Sequence, residues 1–226
     1  MTRLAIFDCD GTLVDSGATI HRALQTAFAA HGHSCPPPSV TRKVIGLSLD
    51  EAMAALVPDA DHGALSATYK DAFIAMRGAG EVEEPLFDGI VELLDVLGRD
   101  GWLLGVATGK SDRGLRHCLA AHGIADRFAT LQTADRHPSK PHPAMALAAM
   151  AEAGAAPEST VFIGDTGWDM GCARAAGCGA IGVGWGYHDH DEMIAMGAHD
   201  VAQTPPDIAA LASKWTEGRY GRARPL

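Results

Sequence analysis

The chain has 226 residues, enough for one large domain or a core with a smaller domain inserted, and 47% of them are hydrophobic, as in globular proteins with a sizeable core. Its 18 Lys and Arg against 28 Asp and Glu give a formal charge of −10, which argues against nucleic acid or an anionic membrane surface as a default partner. No run reaches the length of a membrane span. Five cysteines (Cys9, Cys35, Cys118, Cys172, Cys178), odd in number and without a C-x-x-C pair, favour a reducing compartment over a disulfide framework. Only a few apolar residues separate Arg3 from Asp8, unlike a signal peptide, so the expectation is a cytoplasmic protein.

The first element is a short apolar run, Leu4 to Phe7, the pattern of a parallel strand buried on both faces. It ends in Asp8-Cys9-Asp10-Gly11, two carboxylates followed by a glycine that permits a tight exit. From Ser16, a candidate N-cap, Ile20, Ala23, Leu24, Ala27 and Phe28 recur at helical spacing, and Gly32 stops that helix. Pro36-Pro37-Pro38 predicts an extended segment before Val40 to Ile45. Ser48 with Glu51 predicts a capping box for a helix to about Val57, and Asp61 opens another through Tyr69, Phe73 and Met76. No strand signal occurs between about Gly17 and Glu84.

Beyond Pro85 the pattern alternates. Ile90 to Leu97 predicts a helix, Trp102 to Ala107 a strand ending at Thr108, Ser111 to Ala121 a helix, and Ala129 to Thr133 a weaker strand. A helix follows Pro143 and stops at Gly154; Val161 to Ile163 is a buried strand ending in Gly164-Asp165. A helix from about Trp168 to Ala176 and a strand from Ala180 to Val183 complete the series. Alternating strands and helices predict an α/β fold with a doubly wound parallel sheet. The last ten residues, with Arg219, Arg222 and Arg224, read as a loose basic tail.

The chemistry collects at predicted strand ends, where open α/β sheets bind ligands. Thr108-Gly109-Lys110-Ser111 offers a hydroxyl and turn amides entering a helix, an arrangement suited to phosphate oxygens. It is not a P-loop, because Gly105 to Ser111 places three residues between its glycines where four are needed. Asp165 and Asp169 supply hard oxygen ligands of the kind Mg²⁺ takes. His188 and His190, two apart among acids, read as solvated loop residues rather than a second metal site. Trp185 and Tyr187 are candidates for the cleft rim or the core.

Asp8 to Ser16 resembles, residue for residue, the first motif of the haloacid dehalogenase superfamily, Asp-x-Asp-Gly-Thr-Leu/Val-x-Asp-Ser/Thr. Thr108-Gly109 resembles its second motif, Ser139-Lys140-Pro141-His142-Pro143 its third, and Gly164-Asp165-Thr166-Gly167-Trp168-Asp169 its fourth. The resemblance implies a Rossmann-like core, residues 1–16 and 85–226, with an all-helical cap inserted at 17–84. It further implies that Asp8 is the nucleophile, Asp10 the general acid and base, and Thr108, Gly109 and Lys140 the holders of the phosphoryl oxygens. Mg²⁺ would be held by Asp8, Asp165 and the backbone carbonyl of Asp10, with Asp169 acting directly or through water.

Among superfamily members the chain looks most like the phosphoglycolate phosphatases, so the expectation is a phosphatase acting on a small phosphorylated metabolite through an aspartyl-phosphate. Arg42, Lys43 and Gly46, in the turn between predicted cap helices, would face that substrate. Dehalogenases and phosphonatases lack an equivalent of Asp10. Phosphosugar mutases of the β-phosphoglucomutase kind carry an acid where this chain has Gly164. A non-catalytic phospho-ligand module is the remaining alternative, and the filled catalytic positions argue against it. Oligomeric state is not legible.

Overall fold

A computed structural model describes residues 1–220. The chain enters as strand β1 (Arg3–Phe7) and leaves the sheet at once for four helices, α1 (Gly17–Ala30), α2 (Pro38–Thr41), α3 (Leu49–Leu56) and α4 (His62–Gly78). It returns through α5 (Ile90–Arg99), β2 (Trp102–Thr108), α6 (Asp112–Ala121), β3 (Thr130–Thr133), α7 (Ala144–Ala153), β4 (Thr160–Gly164), α8 (Gly167–Ala176) and β5 (Gly179–Val183). It closes with α9 (His190–Ala195), β6 (Asp200–Ala202) and α10 (Asp207–Thr216).

The six strands form one parallel sheet in the order β3-β2-β1-β4-β5-β6. Side chains on a strand alternate between faces, so a run that is apolar throughout must be covered on both. In β1, Ala5 and Phe7 enter a core shared with α5, α6 and α10, while Leu4 and Ile6 enter a second core beneath α7, α8 and α9. Val161 and Ile163 of β4 divide from Phe162 in the same way. The winding reverses between β1 and β4, because the chain runs outward through β2 and β3 and then returns to the other side of β1. That reversal opens a crevice at the carboxyl ends of β1 and β4.

The strand-free run packs about its own cluster, with Leu24, Ala27, Phe28, Met53 and Leu65 buried together. The triple proline is extended as far as Pro37, as expected, and Pro38 occupies the first turn of α2, where a missing N–H costs nothing; Arg42–Val44 continues as a 3₁₀ turn. One local expectation fails. Ser48 precedes α3 but makes no side-chain cap; its backbone N–H donates instead to Ser139 Oγ at 2.8 Å. Asp61 does cap α4, accepting from Ala64 N at 3.0 Å.

After β5 the structure adds α9, β6 and α10, which the sequence patterning does not resolve. Of the supposed basic tail, Arg219 pairs with Glu217, and Arg222 and Arg224 lie outside the described residues. The five cysteines are unbridged.

Candidate active site

Asp8 is fully buried where β1 ends, and its N–H continues the ladder to Ile163 O at 2.9 Å. Its Oδ1 accepts from Cys9 N at 2.6 Å. Its Oδ2 lies 2.9 Å from Lys140 Nζ but out of line for a hydrogen bond. Among the described residues it is the one buried side-chain oxygen or nitrogen without a hydrogen-bond partner. Burial pushes the Asp8 carboxyl up to about 7 against the pull of Lys140, with Asp169 and Asp10 adding to the rise.

Lys140, buried on the loop after β3, also donates to Asp169 Oδ1 at 2.6 Å and to Ala107 O at 3.4 Å. Burial lowers its pKa, but Asp169 and then Asp8 raise it by more, so the ammonium stays charged. The other oxygen of Asp169 accepts from Thr166 N at 3.0 Å and Thr166 Oγ1 at 2.6 Å, a capping box at the start of α8. Asp165 is clamped from two loops: Thr12 Oγ1 donates to Oδ1 and Tyr187 N to Oδ2, each at 2.9 Å. Its carboxyl is pushed well up by burial, then by Asp169 and Asp8.

Asp8, Asp165 and Asp169 each present an oxygen within 4.8 Å of the others. Three buried carboxylates thus crowd one ammonium, and ionised together they would leave two negative charges over. Hard oxygen donors, an orphaned carboxylate oxygen and a residual charge of two fit a small divalent cation. Each oxygen of Asp165 carries one neutral donor, whereas one oxygen of Asp169 carries the Lys140 ammonium and the other two donors from Thr166, so Asp8 and Asp165 are the better-placed direct ligands.

Asp10, 6% exposed, has partners of its own. Its Oδ1 accepts from Ser16 Oγ and lies 2.7 Å from Lys110 Nζ. Thr108 is buried at the end of β2 and its Oγ1 accepts from Lys110 N at 3.2 Å. The cap of α6 is Ser111, whose Oγ accepts from Gly114 N at 3.1 Å, so Thr108 is not needed for that role.

The α2–α3 turn lies across the crevice. Gly46 (φ +97°) packs on Thr166, and a Cβ on Gly109 would overlap the Leu47 carbonyl. Lys43 brings its backbone to this contact: its carbonyl accepts from Trp168 Nε1 at 3.3 Å and faces His188 Nε2 at 3.2 Å. Its ammonium does not meet the crevice as expected, because Glu192 binds it at 2.6 Å and Asp189 lies 3.5 Å away. Arg42 is exposed, its guanidinium 6.0 Å from the Tyr187 ring centre. His188 is not simply solvated; it is part-buried between Lys43 and Gly167 N.

A family model described as haloacid dehalogenase-like hydrolase matches residues 5–183, a span that contains every strand end just described except that of β6. The chain belongs to the haloacid dehalogenase-like hydrolases. A probable phosphatase, IndB, of Dickeya dadantii is 34% identical over 94% of both chains. A phosphoglycolate phosphatase of Xylella fastidiosa is 30% identical over 94% of this chain and 93% of its own. The crystal structure of a predicted phosphoglycolate phosphatase from Haemophilus somnus superposes with a TM-score of 0.81 at 25% identity, covering 93% of this chain and 97% of that one.

Within this hydrolase the sequence reading overlooked Lys110 and Glu84. Lys110 Nζ donates to Glu84 Oε1 at 2.7 Å while facing Asp10 at the same distance, and Arg77 stands 3.7 Å behind Glu84. Burial lowers the pKa of Lys110, and Asp10 and then Glu84 raise it further than burial lowers it. One signal was available. Parallel pairing sets Phe7 beside Val106, so the residues leaving β1 and β2 must emerge side by side.

Proposed function

We propose that this hydrolase cleaves a small phosphate monoester, phosphoglycolate or a close relative, through an aspartyl-phosphate on Asp8, with residues 17–84 acting as a cap over the crevice. The observation that carries the reading is the unpartnered, fully buried Oδ2 of Asp8, set beside Lys140 at the switch point of the sheet. An oxygen that meets only the Lys140 ammonium keeps a lone pair for phosphorus.

Asp8 attacks, the leaving oxygen takes a proton from Asp10, and in the second half Asp10 removes a proton from the water that opens the intermediate. Lys140 offsets the charge of nucleophile and phosphoryl group, and the Thr108 hydroxyl and Gly109 amide bind its oxygens. Asp8 and Asp165, with the Asp10 carbonyl, would hold Mg²⁺, which screens the repulsion between carboxylate and phosphate. Asp169 fixes Lys140.

A phosphosugar mutase is disfavoured by space. A Cβ on Gly164 would overlap the Asp169 side chain, so an acid cannot occupy that position without displacing the partner of Lys140.

The test is phosphate release from phosphoglycolate and from p-nitrophenyl phosphate, with and without Mg²⁺. Asp8→Asn keeps the shape of the side chain and removes its nucleophilic charge, so turnover should fall by at least about 100-fold on both. Near-wild-type turnover by that variant would exclude the covalent route.

A further inference from the structure

Lys110 is part-buried, its side chain 10% exposed, and already satisfied by carboxylates, which leaves it ill suited to bind a substrate anion. Its Nζ sits 2.7 Å from Asp10 Oδ1 and 2.7 Å from Glu84 Oε1, with the Phe73 ring centre of α4 at 5.8 Å. Glu84 belongs to the segment that returns from α4 to the sheet, and Arg77 of α4 stands behind it. Ser16, on the segment that leaves the sheet, donates to the same oxygen of Asp10. Both strands of chain joining the helical block to the sheet therefore converge on Asp10 Oδ1, one directly and one through Lys110.

We propose that Lys110 is a positioning residue, holding Asp10 in the orientation that serves the leaving group and tying that orientation to the seating of the helical block through Glu84. This rests on Asp10 acting as general acid in the reading above. With Oδ1 held by Ser16 and Lys110, Oδ2 is the oxygen that carries the proton. As the bond from phosphorus to the ester oxygen breaks, that proton passes from Oδ2 to the ester oxygen, and the Asp10 carboxylate left behind is stabilised by Lys110. When α4 withdraws, Phe73 leaves Lys110 and Arg77 leaves Glu84, which loosens the Lys110–Glu84 pair that aims Lys110 at Asp10. The acid is thus assembled only over a seated cap.

Leaving-group chemistry separates this role from a merely structural one. p-Nitrophenolate departs without a proton, whereas the alkoxide of phosphoglycolate does not, so in the first half-reaction, which kcat/KM reports, only the second substrate needs a well-aimed acid, while the base role of Asp10 in the second half is common to both. Lys110→Met should lower kcat/KM for phosphoglycolate by about tenfold or more while kcat/KM for p-nitrophenyl phosphate stays within about threefold, and the Kd of phosphoglycolate measured in the Asp8→Asn background stays within about threefold. Because Lys110→Met leaves two carboxylates facing each other, Lys110→Met/Glu84→Gln restores the local charge balance and should give the same bias. Asp10→Asn sets the reference, and adding Lys110→Met to it should cost no more than about twofold further on phosphoglycolate.

A Kd for phosphoglycolate about tenfold or more weaker in Asp8→Asn/Lys110→Met than in Asp8→Asn would make Lys110 a substrate contact and overturn the proposal. Equal losses on both substrates in the charge-balanced double variant would overturn it as well. If Asp10→Asn itself shows no leaving-group bias, the general-acid reading fails; if Asp10→Asn shows it and both Lys110 variants do not, the positioning role alone fails.

Discussion

Lys140 is the one cation among three buried carboxylates, and removing one partner from a buried ionic cluster leaves the others uncompensated. Lys140→Met should therefore cost about 3–5 kcal/mol of stability in EDTA, measured by denaturant unfolding, with part of the loss recovered on adding Mg²⁺. An unchanged unfolding midpoint in EDTA would mean that the carboxylates there are protonated and Lys140 does little. Residues of this kind were readable because each lies beside a strand end in a compact pattern: Asp8 and Asp10 one residue apart after β1, Asp165 after β4 and Asp169 four residues on. Lys110 and Glu84 were not. Their meaning depends on a pairing across 26 positions that no local pattern encodes. The pairing of the Lys43 ammonium is illegible for the same reason, since its partner Glu192 is 149 residues away.

At the scale of elements, the contact of the α2–α3 turn with the turn after β2 is made by backbone. Gly109 has no room for a side chain under the Leu47 carbonyl, and Lys43, Gly46 and Leu47 offer main-chain atoms or small surfaces to the opposite side. Gly109→Ala should push this turn outward without touching either core, so kcat/KM for phosphoglycolate should fall roughly tenfold or more while the melting temperature moves by less than about 3 °C. Wild-type kinetics in that variant would show that the close approach is not used in turnover. The strands of the sheet interior were legible because parallel strands buried on both faces must be apolar throughout. β6 was not, since three residues at a sheet edge give neither length nor alternation. The helix starts divided similarly: Asp61 caps α4 from local sequence, while Ser48 keeps the extended N-cap backbone but makes no side-chain cap, and its N–H, which a capping box would give to Glu51, goes to Ser139, a tertiary contact.

For the whole molecule, the buried charge at the end of the sheet joins both cores to the helical block. The sheet alone seats Asp8 and Asp165, yet Asp165 is held by Thr12 from the first loop and by Tyr187 from the loop after β5, whose hydroxyl in turn accepts from Ser16 N at 3.0 Å. A divalent cation placed on Asp8 and Asp165 would therefore bind the folded chain and not the unfolded one. Mg²⁺ at about 100 times its Kd should add about 2.7 kcal/mol of stability. For a chain of this length that corresponds to a rise in melting temperature of roughly 5–10 °C relative to EDTA. Asp165→Asn should abolish most of the rise while keeping the hydrogen bonds that its oxygen can still accept. Asp169→Asn should reduce it less, because the oxygens of Asp169 carry the Lys140 ammonium and two donors from Thr166, where those of Asp165 carry one neutral donor each. Equal loss of the shift in the two variants would make Asp169 a direct ligand, and a full shift in Asp165→Asn would move the cation to another place in the chain.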